Sequence, residues 1–310
     1  MPTYASKDEL DFDLSQLPCL PAFDHVEMAA PDFFDVQYAI NPHMLDASGA
    51  LQRIDRKLAQ QQWNSVREAI ESAGVTVTVE PALADHPDFV FCANPWLPIP
   101  AEVTGEGPHC VPSRMASDER AGEVARWCES LAGRGWKVAP LTGTAKCLEG
   151  TGDGLWHPRR QLLWAGIGSR TERGAWEELA ERYGLHVVLL ELQDPALYHL
   201  DTCLAPLDER TCLWSPSAFT SAGAALIEQL FEDAIAVSEP EAHESFVCNA
   251  FAPDAGGAAR PVVLQKGAQR VVRELSERGF SPIEVETDEF LKAGGSVFCM
   301  KMAHPVRVDQ

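Results

Sequence analysis

The chain has 310 residues, enough for one large domain or two ordinary ones, and its 45% hydrophobic content marks it as globular. Against 46 Asp and Glu stand only 25 Lys and Arg, a net charge of −21, which argues against a nucleic-acid partner and favours a small cationic one. The nine cysteines include no CxxC pair and no His/Cys group at zinc spacing, so free thiols in a reducing cytoplasm are expected, with no metal.

Residues 1–24 read as an acidic, weakly patterned lead-in without the basic and apolar regions of a signal peptide. No run approaches the roughly 18 apolar residues of a membrane helix, so no membrane partner is expected. From residue 25 to residue 310 the pattern is that of a single domain. Amphipathic helices are predicted at about 50–73, 117–133, 171–183, 218–231 and 266–278. In "TERGAWEELAERYG" the apolar Trp176, Leu179, Ala180 and Tyr183 recur at helical spacing, and Gly279 ends the analogous "GAQRVVRELSERGF".

After each helix comes a short β-like run: "GVTVTVEP", "GWKVAPLT", "GLHVVLLEL", "DAIAVSEP" and "FSPIEVET". Each run leads to a second strand-like segment rich in small and polar residues: "PDFVFCANPWL", "CLEGTGDGLW", "YHLDTCLAPL", "ESFVCNAFAP" and "GGSVFCMKM". A further apolar run precedes the next helix, clearest in "RQLLWAGIG", "RTCLWSP" and "ARPVVLQKG". The chain therefore reads as strand–strand–helix–strand units repeated five times, the last strand, near 294–302, closing against the first unit near 26–44. Five such units predict an α/β fold built as a five-bladed propeller of ββαβ units with pseudo-fivefold symmetry; an ordinary α/β sandwich is the competing architecture.

The second segments carry the polar residues. "LEGTGDGLW" holds Glu149 and Asp153. "YHLDTCL" holds His199 and Asp201, which two-residue spacing would point to one face of a strand. "VFCANPWL" holds Asn94, and the fifth segment holds Cys299 behind Gly294-Gly295. Each has an ordinary explanation alone: a turn residue, a satisfied histidine, a packed cysteine. Converging on one axis, they make a thiol-nucleophile constellation.

"EGTGD", "YHLDT" and "GGSVFCM" resemble the guanidino-group modifying enzymes of the pentein fold, and the resemblance runs over about residues 25–302. That superfamily includes arginine deiminases, dimethylarginine dimethylaminohydrolases, amidinotransferases and arginine dihydrolases. The resemblance implies that Cys299 is the nucleophile, His199 the general acid/base and Glu149 the group that orients it. Asp201 would bind the guanidinium, and Arg170 and Arg114 the substrate carboxylate, with Arg120 a rival to Arg114. Asn41 would line the pocket mouth beside His43, and Asp153 would support the site. The glycines before Cys299 would let backbone approach a planar ligand.

No cofactor is needed for such a reaction. The expected substrate is a small cationic guanidino compound such as arginine, and self-association into a homo-oligomer is left open. Where deiminases carry an aspartate, this chain has Asn94, as in the dihydrolases, which release ornithine, carbon dioxide and two ammonia per arginine. Deimination or dimethylarginine hydrolysis to citrulline, amidino transfer, and a non-catalytic binding module are the alternatives.

Overall fold

A computed structural model describes residues 3–253 and 259–305. All five predicted helices are present: Arg56–Ser72, Asp118–Gly133, Arg173–Tyr183, Ser221–Leu230 and Gln269–Glu277. The first shows why they form. Asp55 caps it by accepting from the amides of Lys57 and Leu58, both at 3.0 Å, and Ala59, Trp63, Val66 and Ile70 make one buried stripe. The third ends at Gly184, whose φ of 65° suits a left-handed cap.

Five separate sheets accompany these helices. In four of them a central strand pairs antiparallel with one neighbour and parallel with the strand that follows the helix. These are Trp96–Ile99, His109–Pro112 and Lys137–Val138; Gly154–Trp156, Leu162–Ile167 and His186–Glu191; Leu204–Pro206, Thr211–Trp214 and Asp233–Ala236; and Met302–His304, His25–Ala29 and Thr76–Glu80. The fifth sheet pairs Pro261–Gln265 with Ser281–Val285 in parallel, and a single bridge from Phe251 to Val263 stands where its antiparallel strand would be. The parallel pairs are the ones that need a helical crossover. The chain ends meet as expected, but only from residue 302: Met302 lies opposite Glu27 and His304 opposite His25.

Two sequence expectations need correction. The polar segments are not strands along their length. Asn94 sits in a turn before Trp96–Ile99, Glu149 precedes the short helix Gly150–Asp153, His199 precedes a 3-10 turn at Leu200–Thr202, and Cys299 lies in a turn before Met302–His304. Glycine and polar side chains pull these stretches into tight turns, and the strands begin only where apolar residues resume. The lead-in is also not a loose extension. Thr3–Tyr4 adds to the edge of His186–Glu191 in parallel, and Tyr4 is fully buried, with its hydroxyl 2.6 Å from Asp11 and 2.8 Å from His186 Nδ1.

All nine cysteines are free, and among the described residues no helix is long and apolar enough to cross a membrane. Tyr4→Ala is expected to cost about 3 kcal/mol through lost aromatic burial, and Tyr4→Phe about 1 kcal/mol through the lost hydrogen bonds. Urea unfolding of the two variants measures both, and equal losses would assign the effect to the hydroxyl alone.

Candidate active site

Turns from four of the sheets, with residues from the first loop, surround a narrow pocket. Asn41, Asp88, Asn94, Arg120, Arg170, Tyr198, His199 and Cys299 are among the residues that line it. At its centre His199 Nε2 lies 2.8 Å from Glu149 Oε2. Glu149 is wholly buried, and its other oxygen accepts from the Ala116 amide at 3.0 Å and lies 3.3 Å from Arg170 Nη1. Burial opposes ionisation of this carboxyl, yet the His199 hydrogen bond and the neighbouring positive charges hold it down at about 2. Burial likewise disfavours a charged His199, but Asp153 and Glu149 raise its pKa above the ordinary value.

Asp153 does not line the pocket. Its oxygens accept from the Leu200 amide at 3.1 Å and from Thr171 Oγ1 at 2.6 Å, so it fixes the turn that carries His199. Asp201 and Cys299 meet directly: Sγ donates to Asp201 Oδ2 at 3.2 Å, while Asp201 Oδ1 is buried without a partner. The shared turn brings His199 and Asp201 to one site, though not by alternation along a strand. Burial raises the Asp201 carboxyl to about 6. Burial, with the Asp201 charge beside it, pushes the Cys299 thiol well up.

Asn94 is held with its amide in one sense. Arg120 Nη1 donates to Oδ1 at 2.8 Å, and a guanidinium can only donate, so Nδ2 is the end left facing His199 Nδ1 at 3.4 Å. Arg120 is otherwise spent on Glu123 and on the carbonyls of Asp88 and Phe91. Arg170 reaches the Ile40 carbonyl at 2.5 Å and lies over the Tyr198 ring.

Arg114 is not brought to the pocket. It donates to the carbonyls of Leu141, Gly143 and Ala145 and pins that loop. Asn41 lines the mouth, with Nδ2 on the Ala293 carbonyl at 3.0 Å and Oδ1 accepting from the His43 amide. His43 itself turns to the Ala196 carbonyl.

The glycines before Cys299 answer to the protein's own packing. A Cβ on Gly294, where φ is +82°, would fall 2.8 Å from Asn41 Oδ1, and one on Gly295 would fall 2.4 Å from Phe91 Cε1.

Three residues escaped the sequence reading. Asn249 receives the amides of Ser296 and Cys299 on Oδ1 and donates from Nδ2 to Cys299 Sγ at 3.1 Å and to the Asp201 carbonyl. Its signal was available: "FVCNAF" places an asparagine in the fourth motif segment much as "FCANP" does in the first. Asp88 lines the pocket with neither carboxylate oxygen hydrogen-bonded, and burial raises its pKa. Tyr198 buttresses the Gly294 carbonyl at 2.8 Å.

A thiol beside a carboxylate, facing an imidazole with its own carboxylate partner in a closed pocket, defines a thiol-dependent hydrolase of flat, cationic amidines. Comparison with known proteins agrees. A family model described as N,N dimethylarginine dimethylhydrolase, eukaryotic, matches residues 33–306. The N(G),N(G)-dimethylarginine dimethylaminohydrolase of Mycobacterium tuberculosis is 37% identical over 279 residues, 90% of this chain and 85% of that one. The bifunctional arginine dihydrolase/ornithine cyclodeaminase AgrE of Nostoc is 34% identical over 284 residues, 90% of this chain but only 38% of that longer protein. The substrate-bound N-terminal domain of ArgZ, a cyanobacterial arginine dihydrolase, superposes with a TM-score of 0.81 at 31% identity, covering 90% of this chain and 97% of that one. The chain belongs to the dimethylarginine dimethylaminohydrolase family within the pentein superfamily of guanidino-group modifying enzymes, as an amidine hydrolase with a cysteine nucleophile acting on the guanidino group of arginine or dimethylarginine.

Glu149→Gln is expected to lower the His199 pKa, because the ring loses a charged acceptor. The alkaline limb of the pH–rate profile should move to lower pH, with kcat falling by about 10²-fold or more. NMR titration of the His199 ring checks the shift; an unmoved midpoint would detach Glu149 from the histidine. The same carboxyl, at about 2 folded against an ordinary 4.5, contributes stability that is complete above 4.5 and is lost as the pH falls toward 2.

Proposed function

We propose that this chain is an arginine dihydrolase, converting arginine and two waters to ornithine, carbon dioxide and two ammonia. The observation that carries the reading is the orientation of Asn94: with Oδ1 engaged by Arg120, the donating Nδ2 faces the site. An amide N–H can hold the oxygen of a ureido group, which an aspartate at this position would repel. The arginine dihydrolase relatives support the same substrate.

In this reading Cys299 is the nucleophile. The arriving guanidinium favours the thiolate, whose proton passes to solvent as the cation binds, and the Asp201 carboxylate flanks the bound group. His199, its proton affinity raised by Asp153 and Glu149, protonates the departing ammonia, and an amidino-thioether remains on Cys299. The neutral imidazole then takes a proton from water, which releases citrulline. Asn94 Nδ2 retains the citrulline ureido oxygen, so that the same thiol attacks again and expels the second ammonia, and a second water cleaves the resulting thiocarbamate to a carbamate that loses carbon dioxide to give ornithine.

Arg170, with donors left beyond Glu149 and Ile40, takes the substrate carboxylate, and the unpartnered Asp88 takes the α-ammonium. Residues 25–310 form one catalytic domain whose five sheets are the blades of a propeller. That architecture is supported by the repeated strand order and by the pairing of the chain's two ends.

Cys299→Ser is expected to remain folded and to lose nearly all turnover, since a serine hydroxyl is a far poorer nucleophile at neutral pH. Activity above about a tenth of wild type would exclude the covalent route. For Asn94→Asp, wild type should release two ammonia and ornithine per arginine, and the variant one ammonia and citrulline. The mispaired ureido oxygen costs about 1–3 kcal/mol, roughly ten- to a hundredfold in favour of release. Citrulline alone from wild type would overturn the dihydrolase reading. Methylamines released from dimethylarginine in preference to ammonia from arginine would favour the hydrolase named by the family model.

A further inference from the structure

A second cavity, of about 100 Å³, lies behind the active site, and no residue lines both spaces. The two are joined by one segment: Cys299 faces the pocket and Lys301 faces the cavity. The cavity walls are mostly apolar, including Phe23, Trp156, Phe251 and Phe298.

Its other polar side chains, Arg159 among them, have partners of their own. Thr151 Oγ1 donates to the Ala93 carbonyl at 3.0 Å, and both His157 ring nitrogens are occupied, by the Glu209 carbonyl and the Trp164 indole. Lys301 is different. It is only 2% exposed. Its Nζ makes ring contacts alone, 3.0 Å from the centre of Phe298 and 4.7 Å from that of Phe251. An amine so desolvated is held well below its ordinary pKa by burial, with only the charges of Asp201 and Cys299 pulling it back. One unsatisfied nitrogen among aromatic walls is the arrangement that fixes the polar end of a small apolar ligand.

We infer that this cavity is a second binding site, distinct from the active site, for a small carboxylate with a short apolar body, whose oxygens pair with Lys301 Nζ while its carbons fill the aromatic pocket. A carboxylate supplies the charge-assisted partner that the ammonium lacks. The volume suits a body of about three or four carbons, since an apolar cavity of about 150 Å³ accommodates the six of benzene. Binding draws a proton onto Lys301 from solution, so that the buried pair forms as ammonium and carboxylate.

Isothermal titration of the full chain with butyrate near pH 8 tests the inference. Binding should be one to one and on the order of millimolar, the range open to so small a ligand. The observed heat should vary with the buffer's ionisation enthalpy, because pairing with the carboxylate favours protonation of an amine whose pKa burial has lowered. Butyramide, which cannot ion-pair, should bind roughly tenfold more weakly or not at all, as should butyrate to Lys301→Met. Arg170→Ala separates the two spaces: butyrate affinity should be retained there if the second cavity is the site. The inference is overturned if butyrate gives no binding heat, if butyramide binds equally well, if folded Lys301→Met binds as wild type does, or if Arg170→Ala abolishes binding. The butyramide comparison on wild type decides the matter even if Lys301→Met does not fold.

Discussion

The whole centre of the molecule is arranged around a carboxylate with no access to water. Glu149 is fully buried, and an ionised carboxyl in that position is tolerable only if every oxygen is matched. The match comes from three separate stretches of chain: the His199 ring, the Arg170 guanidinium and the Ala116 amide. Satisfying that one group draws together the sheets centred on His109–Pro112, Leu162–Ile167 and Thr211–Trp214. Asp153 continues the same logic one layer out, tying the His199 turn to Thr171.

The two asparagines have their amides oriented by partners that can play only one role. Arg120 can only donate, so it fixes Asn94 with its oxygen inward to the protein and its NH₂ toward the site. Backbone amides at Ser296 and Cys299 can only donate too, and they fix Asn249 with its NH₂ on the thiol. One amide thus presents a donor to the substrate space and the other a donor to the nucleophile. Replacing either by a carboxylate would keep the shape and reverse the sign of the contact.

The resting protonation states form a consistent set. His199 is raised by Asp153 and Glu149, which favours the protonated ring that a leaving amine needs. Cys299 is raised, so the thiol waits for a cation before it ionises. Asp201 at about 6 sits between thiol and solution in proton affinity. A flat cation entering the pocket favours the thiolate and the Asp201 carboxylate together, which makes the pocket selective for charge as well as shape.

Much of this was legible in the sequence. The five helices, the strand after each, and the polar loading of the segments between them all follow from local rules of apolar period and glycine placement, and Cys299, His199, Glu149, Asn94 and Asp201 stood out for that reason. Local rules could not show that those segments would be turns, because a run such as "YHLDTCL" alternates like a strand until its backbone groups find turn partners. Nor could they show that Arg114 would be used to pin a loop while Arg120 entered the site, since both lie in one polar stretch of mixed charge and differ only in what surrounds them after folding. Asp88 and Lys301 were invisible for the same reason, whereas Asn249 could have been found from its place in a motif segment. The order of side chains along the chain determined the repeat and the chemical inventory; which of those groups lost water, and which partners they met, was decided only when the turns of distant units packed against one another.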